Sequence, residues 1–143
     1  MVDAPPGTSD EHLAVVEALR SYRPDGAILV TTPQGLALND VRREASFCRK
    51  AKIPILGVIE NMSGFVCPHC SEEVNPFSSG GGVRLAEEAA VPFLGKVPID
   101  PRLGSALENG EKFLDKFPAS EVFKVIGKII EPLLALPERG RKE

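Results

Sequence analysis

Apolar and polar positions along this chain sort into two kinds of segment, short unbroken apolar runs and longer stretches with an apolar residue every three or four positions. Ala27-Ile28-Leu29-Val30-Thr31, Ile55 to Glu60 and Phe93-Leu94-Gly95-Lys96-Val97 are of the first kind, the pattern of parallel strands covered on both faces. The second kind predicts helices. One runs from Glu11 to Arg20 through Leu13, Val16 and Leu19, and one from Asn39 or Asp40 to about Lys52 through Val41, Ala45 and Cys48. Ser9 or Asp10 can cap the first, Asn39 or Asp40 the second. Further helices are expected over Val83 to Ala90, Arg102 to Glu108 and Glu121 to Leu136, the last with an apolar stripe of Val122, Ile126, Ile129, Ile130, Leu133 and Leu134 that packs on a sheet. Pro132 should kink or shorten it.

Pro24-Asp25-Gly26, Thr32-Pro33-Gln34-Gly35 and Pro98-Ile99-Asp100-Pro101 punctuate these elements, as proline and glycine do. Ser78-Ser79-Gly80-Gly81-Gly82 is expected to be flexible. Met1-Val2-Asp3-Ala4 looks like the last turn of a buried strand. Strands alternating with helices of this length predict βαβ units, hence an α/β domain with a parallel sheet. That domain should occupy residues 1–136, followed by a polar tail over 137–143.

Composition narrows the function classes. With 143 residues, 43% hydrophobic, the chain is long enough to bury a real core. A net charge of -3 with both signs interspersed gives no electrostatic footprint for nucleic acid or an anionic membrane. No apolar run approaches the roughly 20 residues that span a bilayer, and the first residues lack the basic start and apolar core of a signal peptide. Three cysteines cannot close a disulfide framework, so a reducing, cytoplasmic location is expected.

The chemistry concentrates in Gly64-Phe65-Val66-Cys67-Pro68-His69-Cys70, at the carboxyl end of the second predicted strand, where open α/β sheets place ligands. Two thiols separated by two residues can share one metal or one redox event. They cannot complete a site alone, because a closed zinc site or a four-iron cluster takes four protein ligands. Cys48 falls on the apolar face of a helix and reads as core, so the economical source of the missing ligands is the same loop on a second chain. Zinc shared between two chains fits the thiolates as well as iron does. A disulfide oxidoreductase fits less well, since no apolar helical stripe follows Cys70 to depress a thiol pKa.

Asp3-Ala4-Pro5-Pro6-Gly7-Thr8-Ser9-Asp10, Glu60-Asn61-Met62-Ser63-Gly64-Phe65, and the cysteine pair leading to Phe77-Ser78-Ser79-Gly80-Gly81-Gly82 together resemble the Mrp subfamily of deviant P-loop ATPases. These are iron-sulfur scaffold proteins related to MinD and the nitrogenase iron protein. The resemblance runs from Asp3 to about Leu136 and is strongest to the small-subunit branch of the eukaryotic cytosolic scaffold. It implies a 4Fe-4S cluster held by Cys67 and Cys70 jointly with the pair of a second subunit. It also implies magnesium and ATP, with Asp3 matching the Walker B aspartate and Asn61 the asparagine that reads the adenine edge. The implied partners are a second copy or the larger scaffold subunit, and apo iron-sulfur client proteins that receive the cluster.

The same resemblance places a phosphate-binding loop upstream of Asp3, and these residues contain none. Gly95-Lys96 and Gly127-Lys128 are followed by Val97 and Ile129, not by the hydroxyl residue and helix that phosphate binding needs. The expected fold is therefore a partial doubly wound parallel sheet of the MinD and nitrogenase iron protein type, lacking its N-terminal strands. ATP hydrolysis by these residues alone is not expected. An interaction module that pairs with a complete scaffold and limits it is the alternative function; a MinD-like positioning ATPase would not need the cysteine pair.

Overall fold

The computed structural model describes residues 1–67, 70 and 72–135. Three short strands form its centre: β1 (Ala27–Thr31), β2 (Ile55–Glu60) and β5 (Phe93–Lys96), all parallel, in the order β1-β2-β5. A separate antiparallel pair, β3 (Phe65–Val66) and β4 (Glu73–Val74), projects between β2 and the next helix. The helices are α1 (Asp10–Leu19), α2 (Gly35–Lys50), α3 (Gly81–Ala89), α4 (Pro101–Glu108), α5 (Phe113–Lys116) and α6 (Glu121–Leu134). The expected α/β class and parallel sheet are present.

Two apolar clusters sandwich the sheet unevenly. On one side α2 and α3 bury Leu38, Val41, Ala45, Cys48, Leu85 and Ala86 against Leu29 and Val58. On the other, Val97, Ala106, Phe113, Val122 and Ile129 form a smaller cluster against which Ile59 and Leu94 pack. That second layer covers β5 and β2 but not β1, where Ile28 is 39% and Val30 52% exposed. The unbroken apolar run of β1 predicts cover on both faces. The structure corrects this: Leu29 and Thr31 are buried and their neighbours are not, an alternation that follows from a single covering layer.

Other expectations are corrected too. Met1 to Ala4 forms no strand and is exposed; it is four residues running into Pro5 and Pro6, which carry no amide donor for a ladder. Helix α2 starts at Gly35, not at Asn39 or Asp40. Burial of Leu38 brings the preceding turn onto the sheet, and Leu38 N donates to Gln34 O at 3.1 Å. Asn39 and Asp40 instead accept from Arg42 at 2.8 Å and Arg43 at 3.4 Å along the helix surface. In α1, Ser9 is the N-cap residue as expected, but no residue of that helix is buried. Its anchorage is light, through Gly7 N donating to Glu44 and His12 set edge-on to Phe47. Helix α6 ends at Leu134, shortly after Pro132; the tail expected from residue 137 lies outside the described residues.

The expected flexible stretch at 78–82 is the sharpest departure. Gly81 and Gly82 are the buried first turn of α3. A Cβ at Gly81 would lie 2.8 Å from both Pro33 O and Leu38 Cδ1, so the glycine is required by close packing. A Cβ at Gly104, inside α4, would meet nothing within 4 Å. Gly81→Ala should therefore cost about 1–3 kcal/mol from forced overpacking, while Gly104→Ala should gain about 0.5–1 kcal/mol from lost chain entropy. Thermal melts of the two variants test this pair of opposite signs.

Candidate functional site

The site is built where β2 ends. Asn61 and Met62 turn the chain, Met62 in the left-handed region at φ 55°, and Asn61 N donates to Thr31 O at 2.7 Å. The following segment runs beside the exit of β5. Val97 N donates to Glu60 O at 2.8 Å, Ser63 N to Val97 O at 3.0 Å, and Ile99 N to Gly64 O at 2.8 Å. Gly64, at φ 87°, then redirects the backbone; a side chain there would be strained and would sit 3.2 Å from Glu73 Oε1. Phe65 pairs with Val74 and Val66 with Glu73.

This hairpin was not legible beforehand, and it is what presents the thiols. Cys67 N donates to Glu72 O at 3.0 Å, closing the base of a short loop in which Cys67 is half-buried and Cys70 exposed. Neither is in a disulfide. Cys48 is placed as expected, 7% exposed in the core. Burial pushes its thiol up, Glu44 adds to the shift, and a backbone hydrogen bond only partly opposes it. It packs among Leu38, Val41, Ala45 and the residues of α3 in the core cluster. Among the described residues no three His, Cys, Asp or Glu side chains gather as a metal site.

Asp3 is exposed at the N-terminal segment. The Oδ1 of Asn61 accepts from Met62 N at 2.9 Å within its own turn. The structure thus sets Asn61 on the loop that leads to the cysteines, while Asp3 stands on a separate segment with no sheet under it.

The residue that sequence reading missed is Glu60, the last of β2, with 0% exposure. Its Oε1 accepts from Ser63 Oγ at 2.5 Å and Gly80 N at 3.2 Å, and its Oε2 from Gly82 N at 2.5 Å. Burial alone would raise its pKa. The bonds from Ser63, Gly82 and Gly80, with the positive charge of Lys96, more than offset that and leave it below the usual carboxylate range. The available signal was an acid closing an apolar strand, with a serine three residues on and a glycine run downstream.

A second carboxylate organises the next segment. Asp100 accepts from Arg102 N at 3.0 Å, capping α4. It also binds the Arg102 guanidinium and accepts from Ser120 Oγ, the N-cap of α6. Arg102 depresses its pKa against the effect of partial burial.

A parallel sheet with helices on both sides and a cysteine-bearing loop at the carboxyl end of its middle strand is an open α/β architecture, the kind that places ligands at that end of the sheet. Residues 1–134 match the ParA family, described as NUBPL iron-transfer P-loop NTPase, and the chain belongs to that family. The cytosolic Fe-S cluster assembly factor NUBP2 homolog of Monosiga brevicollis is 61% identical over 135 residues, covering 94% of this chain and 48% of that protein. NUBP2 of Gallus gallus is 58% identical over 134 residues, covering 94% and 49%. The chain thus spans about half the length of the curated relatives it matches. Among solved structures, the Archaeoglobus fulgidus nucleotide-binding protein in complex with ADP is 34% identical with a TM-score of 0.59, over 74% of this chain and 42% of that one. The septum site-determining protein MinD of Pyrococcus horikoshii, complexed with Mg-ADP, is 26% identical with a TM-score of 0.64, over 93% and 49%. The resemblance read from the three motifs is therefore shown at the level of family and fold.

Glu60 and Asp100 carry the pH dependence of this region. Both have folded pKa values below their unfolded ones, so the stability they contribute is present above about pH 4 and is lost as pH falls through the depressed values. Acid titration followed by circular dichroism should show unfolding below about pH 4, with a shallower acid dependence in Glu60→Gln. An unchanged slope in that variant would contradict the assignment.

Proposed function

We propose that this chain carries the cluster-holding part of a cytosolic iron-sulfur assembly factor. Cys67 and Cys70 supply two thiolates to a 4Fe-4S cluster, and the corresponding pair of a second chain supplies the other two. The cluster is cargo, assembled at the shared edge and passed to apo iron-sulfur proteins. The observation that carries this reading is the placement of two cysteines, neither in a disulfide, on the loop of a hairpin at the carboxyl end of the sheet, one half-buried and one exposed. Thiolates are the donors that iron-sulfur clusters take. The printed names of the relatives, cytosolic Fe-S cluster assembly factors, support iron over zinc and a cytoplasmic setting. No helix among the described residues is long and apolar enough to cross a membrane.

A tip that offers two ligands suits a labile site. Each chain contributes half of the coordination, so separating the chains releases the cargo, and a ligand specific to the dimer stabilises the dimer. In the complete scaffold ATP and magnesium gate that exchange, with Asn61 at the adenine and Asp3 at the metal. The partner is a second copy or the larger scaffold subunit. A second reading, a pairing module that limits a complete scaffold, draws support from the exposed apolar positions Ile28 and Val30 on β1 and Phe123 and Ile130 on α6. Inhibition through such pairing would survive loss of either cysteine.

Anaerobic reconstitution with iron and sulfide should give a brown chromophore in the wild-type chain and in Cys48→Ala, and none in Cys67→Ala or Cys70→Ala. A colourless, zinc-loaded wild type would overturn the iron assignment. Magnesium-dependent ATP turnover should be absent from these residues, because phosphoryl transfer needs a backbone cradle and a lysine that they lack. Turnover abolished by Asp3→Ala would contradict this.

A further inference from the structure

The cysteine hairpin belongs to an excursion that leaves the sheet at Ser63 and returns to it at Gly80. One side chain holds both of its roots. Glu60 Oε1 accepts from Ser63 Oγ at 2.5 Å at the entry and from Gly80 N at 3.2 Å at the exit, and Oε2 accepts from Gly82 N at 2.5 Å inside α3. Room for this is built in, since a Cβ at Gly82 would lie 2.8 Å from Glu60 Cβ and 3.2 Å from Oε2. Lys96, near enough to interact with the same carboxylate, reaches Ser79 Oγ at 3.1 Å.

Capping α3 explains only part of this arrangement. A carboxylate at a helix N-terminus satisfies amide donors and the helix dipole, and the Gly82 bond does that. The Ser63 bond contributes nothing to α3. It joins the other end of the excursion to the same carboxylate, so entry and exit are fixed relative to each other and to the end of β2. Together with the backbone bonds of Ser63 and Gly64 to the 97–99 segment, it leaves the hairpin few ways to swing.

We propose that Glu60 is a positioning residue for the cysteine pair: by clasping both roots of the excursion it sets how Cys67 and Cys70 project, so that cargo retention depends on a side chain at the root of the hairpin and not only on the thiols on its loop. The cargo arm of this proposal rests on the function proposed above; the hairpin arm does not. A shared site between two chains requires both pairs to meet at a defined separation, and a loose root on either chain spreads the distances over which the four sulfurs must converge.

Ser63→Ala separates the two roles, since it cuts the entry bond and leaves both glycine amides capped. In the metal-free chain, amide exchange at Phe65, Cys67 and Val74, whose N–H groups face the hairpin partner strand, should accelerate about tenfold, the factor that losing one hydrogen bond to a charged acceptor implies, while Leu85 and Ala86 in α3 keep their rates. In the reconstituted protein, the chromophore should be lost to an iron chelator several-fold faster than from wild type, at equal initial iron. Glu60→Gln should do both and also loosen α3, and Ser63→Thr, which restores the hydroxyl, should rescue. Wild-type exchange at the hairpin in Ser63→Ala would overturn the clasp, as would equal loosening of hairpin and α3. A wild-type chain that takes up no iron would sink the proposed function and leave the exchange comparison to decide the clasp.

Discussion

A buried carboxylate at the end of the middle strand sets the terms for everything around it. Taking an ion out of water costs several kcal/mol even after relaxation, and a hydrogen bond to a charged group returns about 1.5–3 kcal/mol. Glu60 therefore needs all three of its donors, and they come from Ser63, Gly80 and Gly82. Its lowered pKa indicates that these donors and Lys96 together outweigh the burial. The cost of leaving it unpaired is what forces the chain after β2 and the chain before α3 to the same point. The close approach of α3 to the strand, and hence the glycines at its start, follows from that convergence.

From this anchor the functional layout unfolds in order. From Glu60 to Gly64 the chain is stitched to the exit of β5 by three backbone bonds, which places the root of the hairpin at the carboxyl end of the sheet. Among the described residues the hairpin shows two strand pairs and one further backbone bond, Cys67 N to Glu72 O, so its pose depends on its roots as well as on its own ladder. On the function proposed above the hairpin is a stalk, bonded to the sheet segment at its root and with Cys70 exposed on its loop. Asp100 plays the matching part on the far side, joining the starts of α4 and α6 just past the segment to which the hairpin root is stitched.

Much of this could be read from residues alone, for physical reasons. The strands were legible because apolar runs of that length between glycine and proline turns have few other uses, and the cysteine pair was legible because its spacing is itself the chemistry. Cover on the outer face of β1 was misread, since an apolar run records what a strand can bury and not what happens to lie beside it. The Asn39 or Asp40 cap was misread because burial of Leu38 outweighs a local capping preference. Gly81 and Gly82 read as slack because glycine marks both flexibility and close approach, and only the positions of Pro33, Leu38 and Glu60 tell them apart. The two-residue strands β3 and β4 are too short to leave a periodic signature. Glu60 stood at the head of a quoted stretch without a role, because its role lies in three partners, the last of them twenty-two positions on.

On the function proposed above, two chains share one cluster through the cysteine loops of their hairpins. Native mass spectrometry of the anaerobically reconstituted protein tests it most directly, because it reads chain count and metal count on the same particle. The account predicts a dimer carrying a single four-iron, four-sulfide cluster that separates into metal-free monomers when the iron is chelated. Monomers that each retain metal, or a dimer whose mass and stability are indifferent to the cluster, would contradict it.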